Sequence, residues 1–505
     1  MNIKQAKDYI KSTVGLYLKK DEFGEYRIPV VRQRPIFLLG APGIGKTAIM
    51  EQIAAEMGIA LVSYSMTHHT RQSALGLPFI TEKTYGGETY QVSEYTMSEI
   101  ISSVYETMEQ SGIKEGILFL DEINCVSETL SPSMLQFLQY KVFGRHRVPD
   151  GWVVVTAGNP PEYNKSVRDF DVVTLDRLKL LEVEPEYGIW KEYASEKHLH
   201  SAVQTFLDLK KEFFYCMEMT TRGRSYVTAR GWEDLSQILF LYEEEKLTVD
   251  ESLVGQYLRN DKVVKEFTAY YDLYNKYKRD YQVEEILAGQ ASPQAVERAK
   301  QATFDERLSL LGMLLDKVQA DMKNICEQAA YLTDLRTVLA PLGQKTAEME
   351  LQKFLDTLEQ LRDRREQMVR NLQIANSLSD ADRKKHKSVI RFLEESRKEV
   401  YTGGYADTVT AYEAVKNKYA QSVAKMKAET MKTQEELHAL FAFAEAAFAE
   451  GNEMLILVTE LTVNTYSSKF IAMFGSEDYR KHNEAMMLGE RGDDIRAEIL
   501  KLGLE

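Results

Sequence analysis

Gly40-Ala41-Pro42-Gly43-Ile44-Gly45-Lys46-Thr47 follows the apolar run Ile36-Phe37-Leu38-Leu39 and opens Ala48-Ile49-Met50-Glu51-Gln52-Ile53-Ala54, a stretch with helical composition. A strand, a glycine-rich turn and a helix in that order make a phosphate-binding loop. The glycines permit backbone angles that aim several N–H groups inward, and the helix N-terminus adds its own positive end. Gly40 through Ala48 are therefore the expected nucleotide contacts. Lys46 is expected to reach the β- and γ-phosphates, and Thr47 to offer its hydroxyl to Mg²⁺.

Two downstream segments supply what such a loop needs for chemistry. Gly116-Ile117-Leu118-Phe119-Leu120 reads as a buried strand ending in adjacent carboxylates, Asp121 and Glu122. Asp121 is expected to hold the magnesium through water, and Glu122 to polarise the attacking water as a general base. Trp152-Val153-Val154-Val155-Thr156-Ala157 then runs into Gly158-Asn159-Pro160-Pro161. This puts the amide of Asn159 at a strand's carboxyl edge, where ligands of such sheets bind, in place to contact the γ-phosphate and the water.

Around these motifs the chain alternates short apolar runs (Ile36–Leu39, Ala60–Tyr64, Ile117–Leu120, Val153–Ala157, Leu180–Val183) with helical stretches. That rhythm predicts a mostly parallel α/β core over 1–185. Residues 186–290 read as a small, aromatic-rich helical domain containing Phe206, Phe213, Phe214, Trp232, Phe240, Tyr242 and Tyr257. Residues 291–505 read as all-α. Leu351, Phe354, Leu355, Leu358, Leu361, Met368 and Leu372 make one helical stripe, and Gly403-Gly404 breaks it before Val409–Ala449 resumes, which suggests an antiparallel hairpin. Phe441-Ala442-Phe443-Ala444-Glu445-Ala446-Ala447-Phe448 reads as core packing.

With 505 residues, 63 Lys+Arg against 77 Asp+Glu and a net charge of −14, the chain lacks a global attraction to nucleic acid or anionic lipid. No apolar run approaches a bilayer span, and Met1-Asn2-Ile3-Lys4-Gln5 does not open a signal peptide, so the expected address is the cytoplasm. Cys125, Cys216 and Cys326 lie far apart and read as reduced packing residues.

Taken in order, Gly40–Thr47, Asp121-Glu122-Ile123-Asn124, Val155-Thr156-Ala157-Gly158-Asn159-Pro160 and Asp176-Arg177 resemble the MoxR branch of the AAA+ ATPases over roughly Ile3 to Ala288. The resemblance implies an α/β P-loop core with strand order 5-1-4-3-2, a helical lid, and a homo-oligomeric ring, usually hexameric, with ATP bound between subunits. It places an arginine finger before the last strand. Arg177 occupies that place, although Asp176 and Leu178 depart from the commoner Ser-Arg-Phe ending, and Arg168 is the second candidate. Arg230, in Thr228-Ala229-Arg230-Gly231-Trp232-Glu233, matches the lid arginine that contacts the γ-phosphate in cis. The family often has proline where this chain has Ala229, and Arg222 and Arg224 are nearby alternatives.

Function then divides into three readings. One is a chaperone-like motor coupling Mg·ATP hydrolysis to remodelling or maturation of a partner protein, which in MoxR-like systems often carries a von Willebrand factor A domain. Another is a nucleotide-controlled scaffold with slow turnover. A nucleic-acid motor is disfavoured by the acidic balance. Within the first reading, Pro78–Tyr95 with its Gly86-Gly87 turn is expected to be an inserted hairpin able to grip a polypeptide. His68-His69-Thr70-Arg71 reads as a polar loop, since adjacent histidines on one element point apart.

Overall fold

A computed structural model describes residues 1–484 except 69–73, 75, 144, 164–166, 168–169, 221–222, 345–348 and 449–450. The chain folds into two units, one of Met1–Ile189 with Glu359–Leu393 and one of Trp190–Leu358 with Glu394–Glu505.

In the first unit the five apolar runs become one parallel sheet: β1 (Ile36–Gly40), β2 (Ala60–Ser65), β3 (Gly116–Asp121), β4 (Trp152–Gly158) and β5 (Lys179–Val183). Their spatial order is 5-1-4-3-2, as the family resemblance implies. Strands covered on both faces lose every solvent-facing position, and β4 is buried along its whole length. Register carries the loops to one edge: Leu39 lies opposite Gly158, and Ser65 opposite Asp121.

Each outer strand of the sheet is met at one point by another segment, which takes up part of its free edge. Along β5, Glu184 N–H donates to Met1 O at 3.0 Å. On β2, Leu61 N–H donates to Ala375 O at 2.8 Å, and Asn376 Nδ2 donates back to Leu61 O at 3.2 Å. The chain thus returns to the core sheet between the helices Leu351–Ile374 and Asp380–Thr402. Asn376 turns the chain with a left-handed φ of 49°, and Ser379 caps the next helix by accepting from Asp382 N at 3.1 Å.

Two ribbons project from this unit. Pro78–Tyr85 and Glu88–Tyr95 pair antiparallel around Gly86-Gly87, whose φ values of +60° and +91° suit a two-residue hairpin turn. Val142–Phe143 and His146–Arg147 form the other. Glu94 joins them by pairing with both Lys83 and Arg145, and a ring nitrogen of His146 meets Tyr95 O at 3.3 Å.

The second unit is largely helical. Phe206 packs edge-on to Phe267 at 5.3 Å and against Trp232 at 5.7 Å, so the aromatic signal over 186–290 marks a genuine core, although Phe240 is exposed. The helical reading misses one ribbon, Cys216–Thr220 with Gly223–Val227. Cys-Met-Glu-Met-Thr is short and has only Thr220 among the β-branched and aromatic residues that mark strands, and the ribbon's pairing is extended by reciprocal bonds between Tyr226 and Arg259 at 2.9 and 3.0 Å. Beyond Val227 the described residues contain no further strand. Helices Phe304–Gly343 and Thr408–Phe448 share a core in which Phe441, Phe443 and Phe448 are buried, as the packing reading requires. In the predicted stripe only Phe354, Leu355 and Leu358 are buried, and Met368 faces solvent. No helix among the described residues is long and apolar enough to cross a membrane.

Candidate nucleotide site

Between β1 and the helix Lys46–Met57, Gly43 and Gly45 hold φ values of +74° and +95°, angles costly for any residue with a Cβ. Gly40 is required for a different reason: a Cβ there would lie 2.7 Å from Val183 O and 2.9 Å from Ile44 Cδ1. The helix therefore starts at Lys46 with its first N–H groups directed into the turn, a ready anion site. Lys46 is buried, and its Nζ donates to Gly40 O at 2.7 Å, Ala41 O at 2.9 Å and Asn159 Oδ1 at 2.9 Å.

Thr47 Oγ1 donates to Asp121 Oδ2 at 3.1 Å. This hydroxyl and carboxylate are hard oxygen donors side by side, a set that fits Mg²⁺. The next residue, Glu122, adopts a left-handed conformation (φ 55°, ψ 37°), and its N–H donates to Asp121 Oδ1 at 2.9 Å. That turn sends the two carboxylates apart. Glu122 Oε2 accepts from Ser65 Oγ at 3.1 Å, at the end of β2, and from Thr67 Oγ1 at 2.8 Å, just past it. Burial pushes the Cys125 thiol up, with the charges of Glu122 and Asp121 adding to it, which disfavours the nucleophilic thiolate.

Lys46, Thr47, Asp121, Glu122 and Asn159 thus gather at the carboxyl edge of the sheet, drawn from β1, β3 and β4. Arg177 belongs to the same unit. It is exposed, one residue past the C-cap of the short helix Val172–Leu175 and two residues before β5. Arg230 lies in the other unit, exposed in the first turn of Ala229–Glu244, where Thr228 Oγ1 caps Gly231 N–H at 3.2 Å. Arg224 sits on the ribbon strand Gly223–Val227. Arg168, Arg222 and His69 lie outside the described residues.

Sequence reasoning did not single out Ser65, Thr67 or Asn124. The first two could have been found as hydroxyls clustered at the polar end of an apolar strand. Asn124 stood within the quoted Asp121-Glu122-Ile123-Asn124, with its partner 35 residues on, past the end of β4; its Nδ2 donates to Asn159 O at 2.9 Å.

Residues 36–168 match the family described as ATPase family associated with various cellular activities (AAA). No curated protein matches the chain. The matched span holds the P-loop, both carboxylates and Asn159; together with the 5-1-4-3-2 sheet it identifies an AAA+ ATPase domain in this chain, followed by a largely helical C-terminal region.

Proposed function

We propose that the chain binds Mg·ATP at Gly40–Ala48, hydrolyses it to ADP and phosphate, and uses the cycle to remodel or mature a partner protein as a MoxR-type, chaperone-like motor. The observation that carries this reading is the convergence of Lys46 and Asn159, 2.9 Å apart, with the Thr47–Asp121 pair at 3.1 Å on one sheet edge. In this reading Lys46 binds the β- and γ-phosphates and Asn159 orients the γ-phosphate and the attacking water. Glu122 takes that water's proton as it attacks. Magnesium, held by Thr47 and Asp121, supplies positive charge to the phosphate oxygens when bound.

Assembly completes the site. Arg177 serves a neighbouring subunit's γ-phosphate in trans, and Arg230 its own subunit's nucleotide in cis, in a homo-oligomeric, hexameric ring. The working division is a core over 1–185, a lid over 186–290 and an adaptor or assembly region over 291–505. The client is a protein, with a von Willebrand factor A domain as the family precedent, and the working compartment is the cytoplasm. A net charge of −14 weighs against nucleic acid as the client.

The test uses Glu122→Gln, which removes the base and leaves the phosphate contacts intact. Loss of phosphate release with retained ATP binding supports the motor. In a pull-down with the trapped variant, recovery of proteins bearing a von Willebrand factor A domain supports the client assignment. Recovery of nucleic acid overturns that assignment.

A further inference from the structure

Asn124 is buried, 4% exposed, in the single turn Ile123–Cys125 that the left-handed Glu122 creates. Its Nδ2 donates to Asn159 O at 2.9 Å, while its Oδ1 is buried with no hydrogen-bond partner among the described residues. Leaving a buried carbonyl oxygen unmatched costs stability, so a side chain chosen for packing alone would be apolar. The amide is also gripped from the other side. A Cβ on Gly158 would lie 2.4 Å from Asn124 Oδ1 and 2.7 Å from its Cγ. The absence of a side chain at Gly158 is what lets the amide reach the backbone of the next residue.

These contacts join two strand exits. Asn124 lies two residues past Glu122, on the exit of β3, and its bond holds Asn159, on the exit of β4. Asn159 in turn accepts from Lys46 Nζ at 2.9 Å. We propose that Asn124 is a positioning residue that sets Asn159 relative to Glu122 and the P-loop, with Gly158 kept small to admit it. This inference rests on the ATPase reading above. Asn124 touches no reacting atom; it acts by fixing the residue that does, and misplacing such a residue by about 1 Å is worth about a hundredfold in rate.

Three variants test the linkage. Asn124→Leu keeps the side chain's shape and removes both polar atoms. Gly158→Ala pushes the amide aside. The double variant Asn124→Ala/Gly158→Ala gives the new methyl room. Each, with Asn124→Ala alone, is measured for kcat, KM, melting midpoint, and the ratio of affinities for a slowly hydrolysed triphosphate analogue and ADP. The expected result is a fall in kcat of about a hundredfold for Asn124→Leu and Gly158→Ala, with ADP affinity unchanged and a lower triphosphate preference. The double variant should be no worse than Asn124→Ala alone. Unchanged kcat and triphosphate preference in a folded Asn124→Leu protein would overturn the proposal, as would losses that multiply in the double variant. If the wild-type chain itself shows no turnover, the ATPase reading fails, and the affinity ratio, which needs no turnover, still decides the role of Asn124.

Discussion

Thr67 Oγ1 donates to Glu122 Oε2 across 2.8 Å, and Ser65 Oγ reaches the same oxygen at 3.1 Å, so the chain leaving β2 restrains the carboxylate that follows β3. Two hydrogen bonds to one carboxylate oxygen compete with the water that oxygen would polarise, and they fix the side chain's rotamer. Removing both hydroxyls in Ser65→Ala/Thr67→Val is therefore expected to raise basal ATP turnover by about threefold to tenfold with ADP affinity unchanged. Steady-state phosphate release reads the result. A fall in turnover would instead assign the hydroxyls to holding Glu122 in its working position.

Lys46 donates its ammonium to Gly40 O, Ala41 O and Asn159 Oδ1 at the P-loop. Lys46→Ala removes the charge expected to face the phosphates, so nucleotide affinity should fall at least about a hundredfold. Isothermal titration with ADP and with a triphosphate analogue measures it. Affinity within a few-fold of wild type would show that the backbone N–H groups suffice.

The local chemistry of the P-loop made it legible. Gly43 and Gly45 are needed at positive φ, and the strand before them and the helix after them each have their own pattern. The pair Asp121-Glu122 was legible because apolar β3 had to end there. Two features depended on contacts between distant segments and left little local trace. The break at Ala375-Asn376-Ser377 has neither glycine nor proline; Asn376 supplies the left-handed turn, and its neighbour Ala375 is buried because β2 lies against it. Gly403-Gly404, the stronger punctuation, does separate two helices, but not as the turn of a single hairpin, since Leu351–Ile374 and Asp380–Thr402 precede it as separate helices. The Asn124–Asn159 bond joins residues 35 apart, so adjacency in the folded sheet, not sequence spacing, creates it.

Glu243 yields a pH prediction for the helical unit. Burial raises its pKa, but hydrogen bonds and charge from His200 at 3.0 Å and Lys278 at 2.9 Å outweigh it and bring the carboxyl down to about 2, from an ordinary 4.5. A carboxyl whose folded pKa is depressed stabilises above its unfolded value and loses that contribution as pH falls toward the folded one. The contribution is at most about 3 kcal/mol, reduced by the partial exposure of Glu243 and Lys278. Glu243→Gln should lower the melting midpoint at neutral pH by about 2–6 °C, and the gap to wild type should close between pH 4.5 and 2. A gap independent of pH would show that the loss comes from packing.

Arg177 provides the test of assembly. Its exposure, just before β5, leaves the guanidinium accessible to another chain. Phosphoryl transfer needs little covalent help and much positive charge, and a finger supplied in trans is worth about a thousandfold or more in rate. An Arg177→Ala subunit should then bind ATP normally at its own P-loop yet fail to support hydrolysis next door. A Glu122→Gln subunit is inactive at its own site but still carries Arg177, so it can complete the site of an Arg177→Ala neighbour, whose Glu122 is intact. Each variant alone should be silent, and the co-assembled mixture should regain ATPase activity in proportion to mixed interfaces. Verified co-assembly without recovered activity would exclude Arg177 as the finger, as would normal hydrolysis by Arg177→Ala alone, and the same mixing with Arg168→Ala would then be the next measurement.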